Sequence, residues 1–171
     1  LTITAVDLLG HGKSPGWDEG SDPTDQVIAG VLPLLDDPVD LIGHSYGAVV
    51  ALRLAVEYPQ KVRSLLLFEP VLMAIARLDN PAEAAWSDGL MDDMSVAMAK
   101  GANETAARAF MRIWGDGRRW ADLPLELRQG STRRIGFVDD CRPTVDLDQG
   151  NIIGRLGQIK VPTVIMDGAA S

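Results

Sequence analysis

LIGHSYGAVVALRLAVEYP, residues 41–59, joins a short apolar run, a Gly-x-Ser-x-Gly knot and a stretch patterned as a helix. The run belongs to a strand over 39–43 and the helix covers 46–58. Pro59 ends that helix because it has no N–H to give and its ring clashes with the preceding turn. A serine on a strand-to-helix turn is forced into a strained backbone that lifts its hydroxyl clear of the sheet. Small residues two before and two after give the turn room. The N-terminus of the following helix aims free N–H groups and a positive dipole end at the same point. Ser45 is thus a candidate nucleophile, and the Tyr46 amide a candidate donor to a developing oxyanion.

Outward from the knot, LTITAVDL (1–8) has a β-rich pattern and runs into LGHGKSPGWDEGSDP, a loop rich in Gly, Ser and Pro. Asp22-Pro23 supplies an N-cap and a proline at the first helical position, which predicts a helix over 23–36. VRSLLLFEP (62–70) is apolar on successive residues, the pattern of a strand covered on both faces. Residues 71–155 read as mostly helical, and IKVPTVIMDG (159–168) as a further strand. The alternation implies an α/β fold: a mostly parallel sheet with right-handed crossovers and flanking helices. Three segments follow: a core sheet with the knot over 1–70, a helical lid inserted over 71–155, and a return to the core sheet over 156–171. The insertion falls over the carboxyl edge of the strands, where open α/β sheets bind ligands.

The 171 residues are 46% hydrophobic and 23% charged, the composition of a globular protein about one domain long. A formal charge of −8 argues against nucleic acid or an anionic membrane surface as partner, since both are bound by excess Lys and Arg. The single cysteine, Cys141, cannot form an internal disulfide. The longest apolar run, LLLF at 65–68, is far too short to span a bilayer. No basic-then-apolar leader is visible, so a cytoplasmic location is expected. The chain opens on Leu1, already inside a strand pattern, which suggests a segment of a longer protein. There is no metal-ligand spacing and no dinucleotide fingerprint, so no cofactor is expected. GHGKS at 10–14 is not a phosphate loop, because position 7, where that motif requires Gly, is Asp.

Three motifs, in order, resemble the α/β-hydrolase fold family. VDLLGHGKSP is similar to its Asp-x-x-Gly-His-Gly-x-Ser segment, and residues 41–70 to its nucleophile elbow, following helix and next strand. VPTVIMDG resembles the strand that precedes the catalytic acid, so the likeness runs from Asp7 to Gly168. More narrowly, FEPVL and FMRIWGDGRRWADLP resemble a bacterial group of serine hydrolases. The resemblance implies a hydrolase of ester, thioester or related acyl bonds, with a small-molecule acyl substrate and an acyl-enzyme at Ser45. Serine at the elbow separates the chain from the family's Asp-nucleophile dehalogenases and epoxide hydrolases.

A serine nucleophile needs a base and an acid that orients it. The two histidines are His11 and His44. By resemblance His11 packs the turn beneath the site, and His44, at the second elbow position, points away from it. The family's catalytic histidine falls beyond Ser171, which leaves these residues without their base and nearly inactive alone. The second oxyanion donor, from a His-Gly loop, falls before Leu1. The family's late-strand acid position reads Gly168-Ala169-Ala170-Ser171, with Ser in place of Asp. Some members, haloalkane dehalogenases among them, carry the acid at the end of the strand after the nucleophile helix. Glu69 occupies that place, 24 residues after Ser45, enough for one helix and one strand. Glu69 is therefore the leading candidate acid, with Asp167 and a residue beyond Ser171 as alternatives.

In the helical insertion, Trp86, Met91, Met94, Met98, Phe110, Met111 and Trp114 are candidates either to line an acyl pocket or to pack a lid. Residues 78–99 carry five acids and no Lys or Arg, while 108–134 carry seven Arg against three acids. Two oppositely charged helical faces follow, solvated or paired with each other, with Arg118, Arg119, Arg133 and Arg134 available to an anionic substrate. The competing function, from a different class, is a catalytically silent relative that serves as a binding module.

Overall fold

The computed structural model describes residues 2–168, apart from the Glu83 side chain. Helix α1 (Pro23–Val31) starts as its sequence demands: the Asp22 carboxylate accepts the Thr24 N–H at 2.8 Å, and Pro23 fills the first turn. It stops five residues short of the predicted 36. Pro33 breaks the α-helical ladder, and Leu32–Leu34 tighten into a 3-10 turn. Strand β1 (Val39–His44) leads through Ser45 into α2 (Tyr46–Glu57), which ends before Pro59. Strand β2 (Val62–Phe68) is shorter than predicted, because Glu69 turns to φ +44° ahead of Pro70. Helices α3 (Ala74–Asp79), α4 (Pro81–Ala99), α5 (Asn103–Trp114), α6 (Leu125–Asp140) and α7 (Arg142–Val145) follow. Then a 3-10 segment, Ile153–Gln158, precedes β3 (Thr163–Met166).

The strands form one parallel sheet in the order β1-β2-β3, with Ile42 opposite Leu66, Gly43 opposite Leu67, and His44 opposite Phe68. Parallel pairing and helical crossovers are the α/β architecture expected from the strand–helix alternation. Residues 2–8 differ from expectation: they pair with no described strand, and Ile3 is 80% exposed. A β-rich pattern becomes a strand only where a neighbour supplies ladder partners, and none of the described strands lies beside this segment.

Helix α2 covers one face of β1 and β2, while β3 is exposed along its length, Ile165 beside Leu67 included. Gly43, Leu65 and Leu67 are buried on the side that carries α2, where they join Ala48, Val49 and Leu52 in the main core. Ile42 and Val164 lie on the other side and are exposed. On that side of β2 itself Leu66 and Phe68 are half-buried, so its successive apolar residues meet full cover on one face and partial cover on the other. The core extends into the helical segment, for Phe137 and Cys141 near the end of α6 and Ile152 beyond α7 belong to it. A second cluster, Met91, Met94, Ala106, Ala107 and Ile135, holds α4, α5 and α6 together. Ala106 and Ala107 are fully buried, and their small side chains let α5 approach its neighbours closely. Among the described residues no helix is long and apolar enough to cross a membrane.

The oppositely charged blocks do not pair with each other in any ion pair found among the described residues. Arg118 binds Asp116 and Arg119 binds Asp122, both within their own block. On acidic α4, Asp88 takes Arg77 and Asp92 takes Arg142, two arginines from outside the basic block. Spacings of two and three residues let Arg118 and Arg119 reach partners close by in the chain, while α4 is neutralised by arginines that the fold brings from α3 and α7.

Candidate active site

Ser45 sits at φ +54°, ψ −122°, between the last residue of β1 and the first of α2. For a residue with a Cβ this is a strained conformation, of order 1–3 kcal/mol, that persists only where surroundings enforce it. Enforcement comes from both sides. The Ser45 N–H donates to Phe68 O at 2.9 Å, extending the β1–β2 ladder, while Ser45 O accepts from Ala48 N at 3.0 Å to start the helix. Gly43 is required by space, since a Cβ there would stand 2.5 Å from Gly47 O and 2.6 Å from Ala48 Cα. Gly47 is not: a Cβ there meets nothing within 4 Å. Of the two glycines read as making room, only the first does so. As the first residue of α2, Tyr46 presents one of the helix's unsatisfied N–H donors beside Ser45.

The Tyr46 side chain has a separate task that sequence reading missed. Its hydroxyl donates to Thr24 Oγ1 at 3.0 Å, and its ring meets Phe137 edge-on at 5.5 Å. Burial drives the phenol pKa well above its ordinary value. His11 and Trp17 also meet Phe137 edge-on, at 5.7 and 5.2 Å, so one aromatic of α6 gathers the loop and the elbow beneath the site. His11 Nδ1 lies 2.9 Å from Leu9 O, the turn-packing role expected for it. The same loop is clasped by Asp7, whose carboxylate accepts the Lys13 N–H; a Cβ on Gly12 would strike that carboxylate at 2.1 Å.

Glu69 lies one residue past the Phe68–His44 register pair, as Ser45 does, so the two stand side by side at the carboxyl edge of the sheet. Both have positive φ. The Glu69 N–H donates to Met166 O, and its carboxylate accepts the Gly168 N–H at 3.0 Å. The other carboxylate oxygen is 3.6 Å from His44 Nε2. His44 therefore does not point away: it lines the same cavity as Ser45 and Glu69. Asp167 is exposed and is not among the residues lining that cavity. Residues 169–171, and with them the late-strand acid position, lie outside the described residues. Among the described residues no hydrogen bond joins Ser45 Oγ to His11 or His44, and no group of three or more potential metal ligands occurs.

The cavity, about 610 Å³, opens onto Ser45, Tyr46 and Glu69 and runs under the helical segment. Met91, Phe110 and Trp114 line it as the sequence allowed, whereas Met94 and Met98 pack the second core cluster and Trp86 is exposed. Val71, Met73, Ile113, Phe137 and Val145 complete the apolar wall. None of Arg118, Arg119, Arg133 or Arg134 reaches it. The cation at its wall is Arg142, which no motif singled out, together with buried Asp146 and Cys141. Arg142 Nε is 3.3 Å from Asp146 Oδ2. Burial raises the Asp146 pKa against the opposing pull of Arg142, and burial raises that of the Cys141 thiol. A protonated thiol in an apolar wall is a packing group, not a nucleophile.

The model for the Alpha/beta hydrolase family matches residues 1–168. The chain belongs to that family. Over 76 residues it is 40% identical to lipase LipV of Mycobacterium tuberculosis, covering 42% of this chain and 28% of that protein. Over 81 residues it is 41% identical to a pimeloyl-[acyl-carrier protein] methyl ester esterase of Neisseria meningitidis, covering 46% of this chain and 30% of that one. The matches thus span about a third of these relatives' lengths. Among solved structures, a putative epoxide hydrolase from Klebsiella pneumoniae superposes with a TM-score of 0.60 at 17% identity, over 95% of this chain and 62% of that one. A haloalkane dehalogenase from Agrobacterium tumefaciens gives 0.57 at 22% identity, over 93% and 60%. At such identities the likeness establishes the fold of this family member and nothing of its chemistry.

Proposed function

We propose that Ser45 is the nucleophile of a serine hydrolase that cleaves an ester, thioester or related acyl bond. The observation that carries this reading is the strained Ser45 turn, opening on an apolar cavity with a carboxylate beside it. Ser45 Oγ attacks the acyl carbon, its proton passes to a base, and the carbonyl oxygen takes up negative charge near the Tyr46 N–H. Collapse expels the alcohol or thiol, leaving an acyl-enzyme that water then hydrolyses. The base, by the family resemblance, comes from outside these residues, and Glu69 orients it. The names of the lipase and methyl ester esterase relatives support acyl chemistry over attack on an alkyl carbon.

A fluorophosphonate probe tests the reading on the full-length protein. Label is expected on Ser45 by peptide mapping and absent in Ser45→Ala. Glu69→Gln is expected to lower kcat by roughly 10⁴-fold, the order of loss seen when an orienting acid is removed. Unchanged turnover in Glu69→Gln assigns the acid to Asp167 or to a residue beyond Ser171. An unlabelled Ser45 in the full-length protein overturns the hydrolase reading in favour of a catalytically silent relative.

A further inference from the structure

The cavity beside Ser45 has a polar wall whose charge is lopsided. Arg142 pairs with Asp146 at 3.3 Å, with Asp92 at 3.1 Å and with Asp139 at 3.9 Å. Its neighbour Arg77 donates to Asp146 O at 2.7 Å and grips Asp88 with two bonds of 2.5 and 2.6 Å. Four carboxylates thus surround two guanidiniums, and the guanidinium at the cavity wall already serves three of them. A carboxylate arriving at this wall finds no free cation, loses its hydration, and meets a net negative surround. An uncharged methylene chain or aryl ring loses nothing there and gains contact with Met91, Phe110 and Trp114.

We propose that this cavity receives the acyl part of the substrate and that the Arg142–Asp146 wall selects uncharged acyl groups over those ending in a carboxylate. The proposal rests on the acyl-hydrolase reading for its site and adds the substrate class. Arg142 and Asp146 act on specificity and touch no reacting atom. What distinguishes this wall from an anion site is that its guanidinium already hydrogen-bonds two carboxylates, Asp92 and Asp146, with a third, Asp139, at 3.9 Å.

Octanamide and suberamic acid test it, being equal in length and differing in a terminal carboxylate. Binding to the full-length protein is read from tryptophan fluorescence, with Trp114→Phe used to assign the signal to the cavity. Octanamide is expected to bind at least about tenfold more tightly at low ionic strength, the size of effect a like charge a few ångströms away produces. Asp146→Asn removes one of the carboxylates around Arg142 and is expected to shrink that ratio. Arg142→Gln removes the cation and is expected to widen it. Equal or tighter binding of suberamic acid by the unmodified protein overturns the proposal, as does an octanamide signal that survives Trp114→Phe. Labelling of Ser45 is scored separately. Discrimination without labelling sinks the hydrolase reading but keeps the selectivity, while labelling without discrimination does the reverse.

Discussion

On one face of the sheet Gly43, Leu65 and Leu67 lie beneath α2 and are buried; on the other, Ile42 and Val164 are 71% and 54% exposed. Ile42 and Gly43 are consecutive on β1, and Ile42 and Val164 are as suited to a core as Leu65 and Leu67. What separates them is whether a helix lies above. Apolar periodicity in a strand records which residues tolerate burial, and the layer placed on each face determines which are buried. On the covered face the packing also builds the site, because the close approach of β1 to α2 at Gly43 holds Ser45 in its strained turn. The open face carries instead an exposed polar trio, in which Arg63 and Ser64 both donate to Asp40.

The contrast breaks most readily at Leu67. Leu67→Ala is expected to cost about 2–5 kcal/mol in urea denaturation, as a fully buried leucine leaving a cavity, whereas Ile42→Ala on the open face stays within about 0.5 kcal/mol. Equal costs would mean that the open face is covered in solution. Next comes the elbow pair. Gly43→Ala is expected to destabilise by about 1–3 kcal/mol, since its Cβ collides with the backbone of Gly47 and Ala48, which cannot move aside. Gly47→Ala changes stability by less than about 1 kcal/mol, with its Cβ in open space on a helix. A large cost at Gly47 would restore the symmetric reading of the knot.

The smallest effect lies on the open face. Asp40 titrates at about 2, below its ordinary value of 3.8, because Arg63 and then Ser64 hydrogen-bond its carboxylate. A carboxyl whose folded pKa is lowered contributes stability above its unfolded pKa, and that contribution fades as pH falls through the folded value. For Asp40 the window runs from about pH 4 down to about pH 2. The pair is exposed and screened by salt, so Arg63→Met should leave the melting temperature at pH 7 nearly unchanged. By NMR titration the Asp40 carboxyl should move back up toward its ordinary range. A melting temperature that falls clearly at pH 7 would show that this face is more desolvated than its exposure indicates.

Much of the fold was legible in the residues. The Asp22-Pro23 helix start, the strand–Ser45–helix turn and the Pro59 stop each depend on dihedral preferences and hydrogen bonds within a few positions. The 24-residue spacing likewise sufficed to bring Glu69 to the edge where Ser45 stands. Other expectations failed where the partner was distant. Residues 2–8 have a strand's composition and no described strand beside them. The elbow position of His44 implies, by the family resemblance, an outward direction, yet the side chain reaches Glu69, 25 residues away. Nothing in the local pattern marked Arg142 either, because its meaning comes from Asp92, 50 residues earlier in the chain.

The sequence by itself therefore determined the α/β order, the elbow and its serine, and the family to which the chain belongs. Those features are local in cause: proline's missing N–H, an N-cap carboxylate, a glycine where two backbones touch. Only the tertiary structure decided which sheet face is covered, which way His44 turns, and which side chains wall the cavity. Each of these depends on contacts between segments far apart in the chain. Such contacts are set by how layers stack, and periodicity within one segment carries no record of the layer that settles on it.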